Sequence, residues 1–261
     1  MSLSTSPIPG VTVLAYHNIL PAGTPLPDDL HCIPLDRLVE QLNTLERNGF
    51  TNVPLRRAFD ELVADDLRAD VRQYAVTFDD GYANLAEQLP GLADRISPTV
   101  FLLIGYTGQS NLTWNTRTPL EQKHLSLSQI VRLSESGIDM QFHGTDHHNL
   151  LKFDEQELRN RFRMGQSWFE QHLGKRPDFI AYPYGYCNKL VGRVAADTFI
   201  GGLTVTHGAW YGTEARYALN RLSVPAYLDG EGLVKVLLSL PEERWYEMER
   251  RAPWRKKGRS A

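Results

Sequence analysis

Gln73-Tyr74-Ala75-Val76-Thr77-Phe78-Asp79-Asp80-Gly81 is an apolar, β-rich run that stops at two carboxylates and a glycine. It reads as a buried strand that delivers a polar turn at its carboxyl end. The pattern recurs on both sides. Upstream, Val11 to Tyr16 is another β-rich run, and it leads directly into His17. Pro21 to Asp29 holds three prolines and one glycine and reads as a loop. Pro34 to Asn48 places Leu35, Leu38, Leu42 and Leu45 at helical spacing, with Pro34 suited to the first turn and Gly49 to the stop. Asn52 to Leu55 reads as a short strand and Leu55 to Ala64 as a helix.

Downstream, Thr99 to Ile104 is an apolar strand, and Ser126 to Ser136 a helix with Ser126 as N-cap and Gly137 as stop. Ile138 to Phe142 is a strand ending in His143, and Glu155 to Leu173 a long amphipathic helix closed by Gly174. Phe179 to Tyr182 is a strand ending in Pro183-Tyr184-Gly185. Asn188 to Ala196 reads as a helix, Gly201 to Val205 and Leu222 to Val224 as short strands, and Gly232 to Leu240 as a last helix. Strands alternating with helices predict one α/β domain with a mainly parallel sheet or barrel. Each polar cluster falls just past a strand's carboxyl end, the edge where such folds build their sites.

The chain of 261 residues is long enough for one large domain, and 42% hydrophobic with 23% charged residues is an ordinary globular balance. A net charge of −3 argues against nucleic acid as a partner. The basic stretch Arg250 to Arg259 reads first as a solvated end and second as a weak contact for anionic lipid or glycan phosphate. Cys32 and Cys187 are too few for a disulfide framework and lack zinc-ribbon spacing. No run of about 18 apolar residues predicts a transmembrane helix. The first ten residues lack the charge and apolar core of a signal peptide. The expected compartment is therefore the cytoplasm, or a secreted or periplasmic one if those residues replace a leader. Residues 1–10 read as an extension, 11–240 as the domain and 241–261 as a basic tail. The oligomeric state stays open.

Two adjacent carboxylates, Asp79 and Asp80, repel each other, and burying both calls for a cation. His143-Gly144-Thr145-Asp146-His147 offers two imidazoles at i and i+4, which a helical turn would put on one face. Together the clusters supply two histidines and one carboxylate for a divalent metal, with a second carboxylate to spare. Three protein ligands leave a position open, as in catalytic sites, and the spare aspartate is then available as a general base. His148 is expected to be exposed or outside the ligand set.

The stretch Thr77-Phe78-Asp79-Asp80-Gly81-Tyr82 resembles the first motif of the polysaccharide deacetylases, carbohydrate esterase family 4, which act on chitin, peptidoglycan and Nod factors. His143 to His147, with Thr145 and the following Leu150, resembles the second motif, and Ala181-Tyr182-Pro183-Tyr184-Gly185 the third. The resemblance runs from about Val11 to Val224. It implies a distorted (β/α) barrel and removal of an acyl group from an N-acetylated amino sugar in a polysaccharide or glycan precursor. It implies Asp79 as base, and Asp80, His143 and His147 as ligands to Zn2+ or to Co2+, Ni2+ or Mn2+. It also implies Tyr184 as the residue whose backbone N–H binds the oxyanion, with Tyr82, Pro183 and Tyr184 toward substrate.

Two departures stand out. The arginine that many members carry just before the third-motif proline is missing, since that region reads Ile180-Ala181-Tyr182-Pro183. Arg221 is either its substitute or an ordinary surface arginine. The usual late Leu-x-His acid is also absent. His17, in a Tyr-His pair similar to that of the poly-N-acetylglucosamine deacetylases, is preferred to His207 as the acid that protonates the leaving amine. Tyr82, Trp114, Tyr184, Trp210 and Tyr211 are candidate sugar platforms, each with an ordinary core role as the alternative. Two other functions remain: hydrolysis of a small non-sugar amide, and glycan binding without catalysis.

Overall fold

A computed structural model describes residues 10–66, 71–110, 122–210 and 215–239. The basic tail, nearly all of the N-terminal extension, Trp114 and Tyr211 lie outside the described residues.

Ten strands and seven helices make up the described fold: β1 (Val11–Tyr16), β2 (Asn18–Leu20), β3 (Cys32–Pro34), α1 (Leu35–Arg47), β4 (Phe50–Asn52), α2 (Leu55–Val63), β5 (Arg72–Phe78), α3 (Leu85–Gln88), β6 (Pro98–Leu103), α4 (Leu127–Glu135), β7 (Asp139–Gly144), α5 (Glu155–Leu173), β8 (Phe179–Ala181), α6 (Lys189–Ala196), β9 (Gly201–Leu203), β10 (Leu222–Ser223) and α7 (Gly230–Leu238). Eight strands form one parallel sheet in the order β10-β1-β5-β6-β7-β8-β9, with β4 also on β5. The sheet curls into a half-barrel flanked by helices. The α/β barrel expectation is therefore met.

Strand alternation sorts the core into two faces. Val11 and Val13 on β1, Ala75 on β5, Phe101 on β6, Phe179 and Ala181 on β8, and Leu203 on β9 share one buried cluster with residues of α2. Leu14, Tyr16, Val76, Phe78, Val100, Leu102, Met140, Phe142 and Ile180 belong to the other, which the remaining long helices cover. Continuing the first face along each strand by twos reaches His17, Asp79 and His143. This face is apolar at depth and carries polar, ionisable side chains at its carboxyl rim.

Local signals set most boundaries. Ser126 caps α4 in a capping box with Gln129, and Gly174 ends α5 at φ 67°. Three expectations need correction. The strand before α2 lies at Phe50–Asn52, because Val53 and Pro54 already turn the chain into the helix. The last helix begins at Gly230, where the Asp229 side chain accepts the Gly232 N–H. The β2–β3 pair was not foreseen, since three-residue strands carry no readable period.

Candidate active site

Asp79 extends the β5 ladder by donating its N–H to Tyr16 O at 2.9 Å. The chain then turns sharply, with Asp80 at φ 71° and Gly81 at φ 69°. A non-glycine residue held there costs about 1–3 kcal/mol, a strain typical of functional positions. The turn breaks strand alternation. It sends the two neighbouring carboxylates to different main partners, although His143 Nε2 lies within 3.9 Å of Asp79 Oδ2 as well.

Asp79 meets Arg221. The guanidinium donates to both carboxylate oxygens at 2.7 Å, and also to Thr204 O at 2.9 Å and Thr77 Oγ1 at 3.1 Å. Arg221 is 0% exposed, so the surface reading of this residue fails. Burial pushes the Asp79 carboxyl up, but the charge and hydrogen bonds of Arg221 together with His143 and His17 outweigh it and hold the group below the ordinary carboxylate value.

Asp80 meets the histidines. Its Oδ1 lies 3.3 Å from His143 Nε2 and 3.6 Å from His147 Nε2. Among the described residues, Asp80, His143 and His147 form the one His/Cys/Asp/Glu group able to hold a metal ion, with ligand atoms all within 4.8 Å of one another. His143 Nδ1 donates to Ala181 O at 2.8 Å; a carbonyl only accepts, so Nε2 is the atom that could ligate an ion. Burial takes the His147 pKa down to about 4, leaving a neutral ring. At His143 the opposite holds: burial is outweighed by Asp79 and Asp80, which raise its pKa. The carboxylates attract a proton where they would equally attract a cation. Asp80 Oδ1 is buried without a hydrogen bond, so the donor set fits a divalent ion.

The i, i+4 pair does not form a helical turn, yet both imidazoles face Asp80. His143 lies within β7, and the chain folds back through Gly144 at φ 114° and His147 at φ 54°. Gly105 N–H holds this loop through Thr145 O at 2.8 Å, and no side chain would fit there. His148 is exposed and paired with Asp146 at 2.9 Å.

A cavity of about 820 Å³ opens over the cluster, walled by His17, His31, Asp79, Tyr106, Tyr184 and Tyr186 among others. It is large enough for a sugar unit with its neighbours. His17 packs edge-on to His31, with ring centroids 4.6 Å apart, and burial brings its pKa down to about 4. His207 is not part of the wall. Tyr184, at φ 59° and 48% exposed, stands at the mouth with its ring 4.4 Å from that of His147. Pro183 is buried beneath it against Gly144. Tyr82 and Trp210 are corrected to core residues. Tyr82 is buried against His124, and Trp210 is buried with Nε1 donating to Asn220 O. Sequence reasoning missed His31, Tyr106 and Tyr186 in the wall. His31 is held by Asp29 at 3.0 Å, a pairing hidden in a proline-rich loop.

A curled parallel half-barrel with a buried His-His-Asp cluster and a neighbouring Asp–Arg pair defines a barrel-type hydrolase able to carry a metal. The chain belongs to the polysaccharide deacetylase family, whose sequence pattern matches residues 67–200. It is 24% identical over 221 residues to YxkH of Bacillus subtilis strain 168, a protein named provisionally as a polysaccharide deacetylase; the match covers 84% of this chain and 72% of that one. In fold it resembles the Streptococcus pyogenes deacetylase PplD in complex with acetate, with a TM-score of 0.73, 20% identity, and 88% and 99% of the two chains covered. It also resembles IcaB from Ammonifex degensii, with a TM-score of 0.72, 21% identity, and 89% and 99% covered. Membership makes the protein a deacetylase-type hydrolase with a glycan as its class of substrate.

Proposed function

We propose that this protein is a zinc-dependent deacetylase that hydrolyses the N-acetyl amide of an amino sugar in a polysaccharide or glycan precursor. The observation that carries this reading is the division between neighbouring carboxylates: Asp79 is bidentate to buried Arg221, while Asp80 faces two imidazole nitrogens. One aspartate is thereby kept charged and oriented as a base, and the other is left to ligate.

Asp80, His143 and His147 would hold the ion. When bound, it polarises the amide carbonyl and acidifies the attacking water. Asp79 takes the proton from that water, with Arg221 keeping the carboxylate charged and aimed. The Tyr184 N–H donates to the oxygen that gains charge. His17, preferred over His207 because it lines the cavity, relays to the departing amine the proton that Asp79 takes from the water. Tyr184 and Tyr186, both half exposed with ring centroids 5.7 Å apart, offer faces for a sugar.

Acetate release from N-acetylglucosamine oligomers, before and after chelation and zinc restoration, tests the proposal. Release that chelation abolishes and zinc restores is the expected result. Turnover by metal-free enzyme would overturn it. Release from small non-sugar amides alone would move the substrate away from glycans.

A further inference from the structure

We infer that His124 is a positioning residue for the metal site: its imidazole grips the Asp80 peptide in the left-handed turn that aims the carboxylate at His143 and His147. The inference rests on the reading of those three residues as ligands. No step of the proposed chemistry uses His124, yet it is a polar ring only 3% exposed at the root of the site.

Its contacts converge on one peptide. His124 Nδ1 lies 2.9 Å from Asp80 O, and since that carbonyl only accepts, Nδ1–H donates. The backbone around it grips the same turn. Leu125 N–H donates to Gly81 O at 2.8 Å, Ala83 N–H donates to Lys123 O at 2.8 Å, and Tyr82 and His124 form an antiparallel bridge. On its other side the segment is anchored to the loop after β6, where His124 N–H donates to Gln109 O at 2.8 Å and Gly108 N–H to Leu125 O at 2.9 Å. The ring itself is stacked on Tyr82 at 5.1 Å and packed against Tyr106 at 5.4 Å.

The turn needs such a grip. Asp80 and Gly81 are consecutive left-handed residues, and rotating the Asp80 peptide would swing the carboxylate away from the imidazoles. A donor fixed on the Asp80 carbonyl opposes that rotation. His143 is held in a similar way through Ala181 O, so the ligand on β7 and the ligand past β5 are each oriented by a buried imidazole–carbonyl bond. Losing an outer contact of this kind typically weakens metal binding by about 10–100-fold.

Two substitutions in the full chain test this. His124→Phe keeps an aromatic ring against Tyr82 and Tyr106 but has no donor. His124→Asn loses the ring but places an amide donor near the Nδ1 position. Zinc dissociation constants come from competition with a chromophoric chelator, alongside thermal unfolding of the metal-free proteins. The expected result is zinc binding about 10–100-fold weaker in His124→Phe, at little change in metal-free unfolding temperature, with most of the loss recovered in His124→Asn. Unchanged zinc affinity in His124→Phe would overturn the inference, as would an equal loss in both variants that tracks a fall in unfolding temperature. If His124→Phe does not fold, His124→Asn decides alone: near-native affinity supports the donor, and a large loss overturns it. A wild-type protein that takes up no zinc overturns the function proposed above and this inference with it. A zinc-binding wild type beside an unaffected His124→Phe overturns this inference only.

Discussion

The two ends of the parallel strands carry the same charged residue types under opposite conditions. At the amino ends, Asp139 pairs with Lys175 at 3.6 Å and Asp178 with Arg56 at 2.8 Å, all of them partly in solvent. At the carboxyl rim, Asp79 pairs with Arg221 at 2.7 Å with both side chains almost wholly removed from water. Exposed pairs are screened and contribute about 0–1 kcal/mol each. A buried pair is costly to desolvate, so its presence is weak evidence that it stabilises the fold. The contrast sets solvent-screened pairs at one end against a desolvated pair beside the candidate metal cluster at the other.

Substitution breaks the comparison at graded points. His143→Ala removes one of three donors at the rim. Zinc content should fall below one per chain, and acetate release should drop about 10³-fold or more, read by metal analysis and a coupled acetate assay. Asp79→Asn should lower turnover by about 10²–10⁴-fold while zinc is retained. Arg221→Met leaves Asp79 charged and alone in the interior. Urea unfolding should show a loss of about 3–5 kcal/mol, and adding Asp79→Asn should recover part of it because the orphaned charge is gone. Arg56→Ala, at the amino end, should change stability by less than about 1 kcal/mol and leave acetate release untouched. A large effect at Arg56, or a negligible one at Arg221, would erase the distinction.

Legibility in the sequence followed the range of the interaction. β1 and α5 are where their patterns place them, because alternation, helical spacing, an Asp cap and a terminal glycine are local. The candidate cluster was readable for the same reason: Asp79, Asp80, His143 and His147 each fall at or just past a strand end. What resisted reading was long-range. Arg221 is 142 residues from Asp79, so the sequence left it equally open as a substitute for the missing arginine and as an ordinary surface residue. His124 is 44 residues from the carbonyl it grips, and precedes an N-cap that accounts for its neighbourhood without it. Tyr82 misled in the other direction, since adjacency to the motif suggested substrate contact whereas the turn at Asp80 directs its ring inward.

Asp79 and Asp80 show where the division falls. Sequence alone determined that two carboxylates follow a buried strand at the site-bearing edge of a parallel sheet, since alternation and chain order encode this. Tertiary structure decided what each does. The left-handed turn at Asp80 aims neighbouring side chains apart, and Arg221 and the two imidazoles arrive from distant parts of the chain to give them different partners, both of which hold the carboxyls below their ordinary value. A peptide bond fixes adjacency, but a side chain's charge partner is set by whichever parts of the chain the sheet brings within a few ångströms.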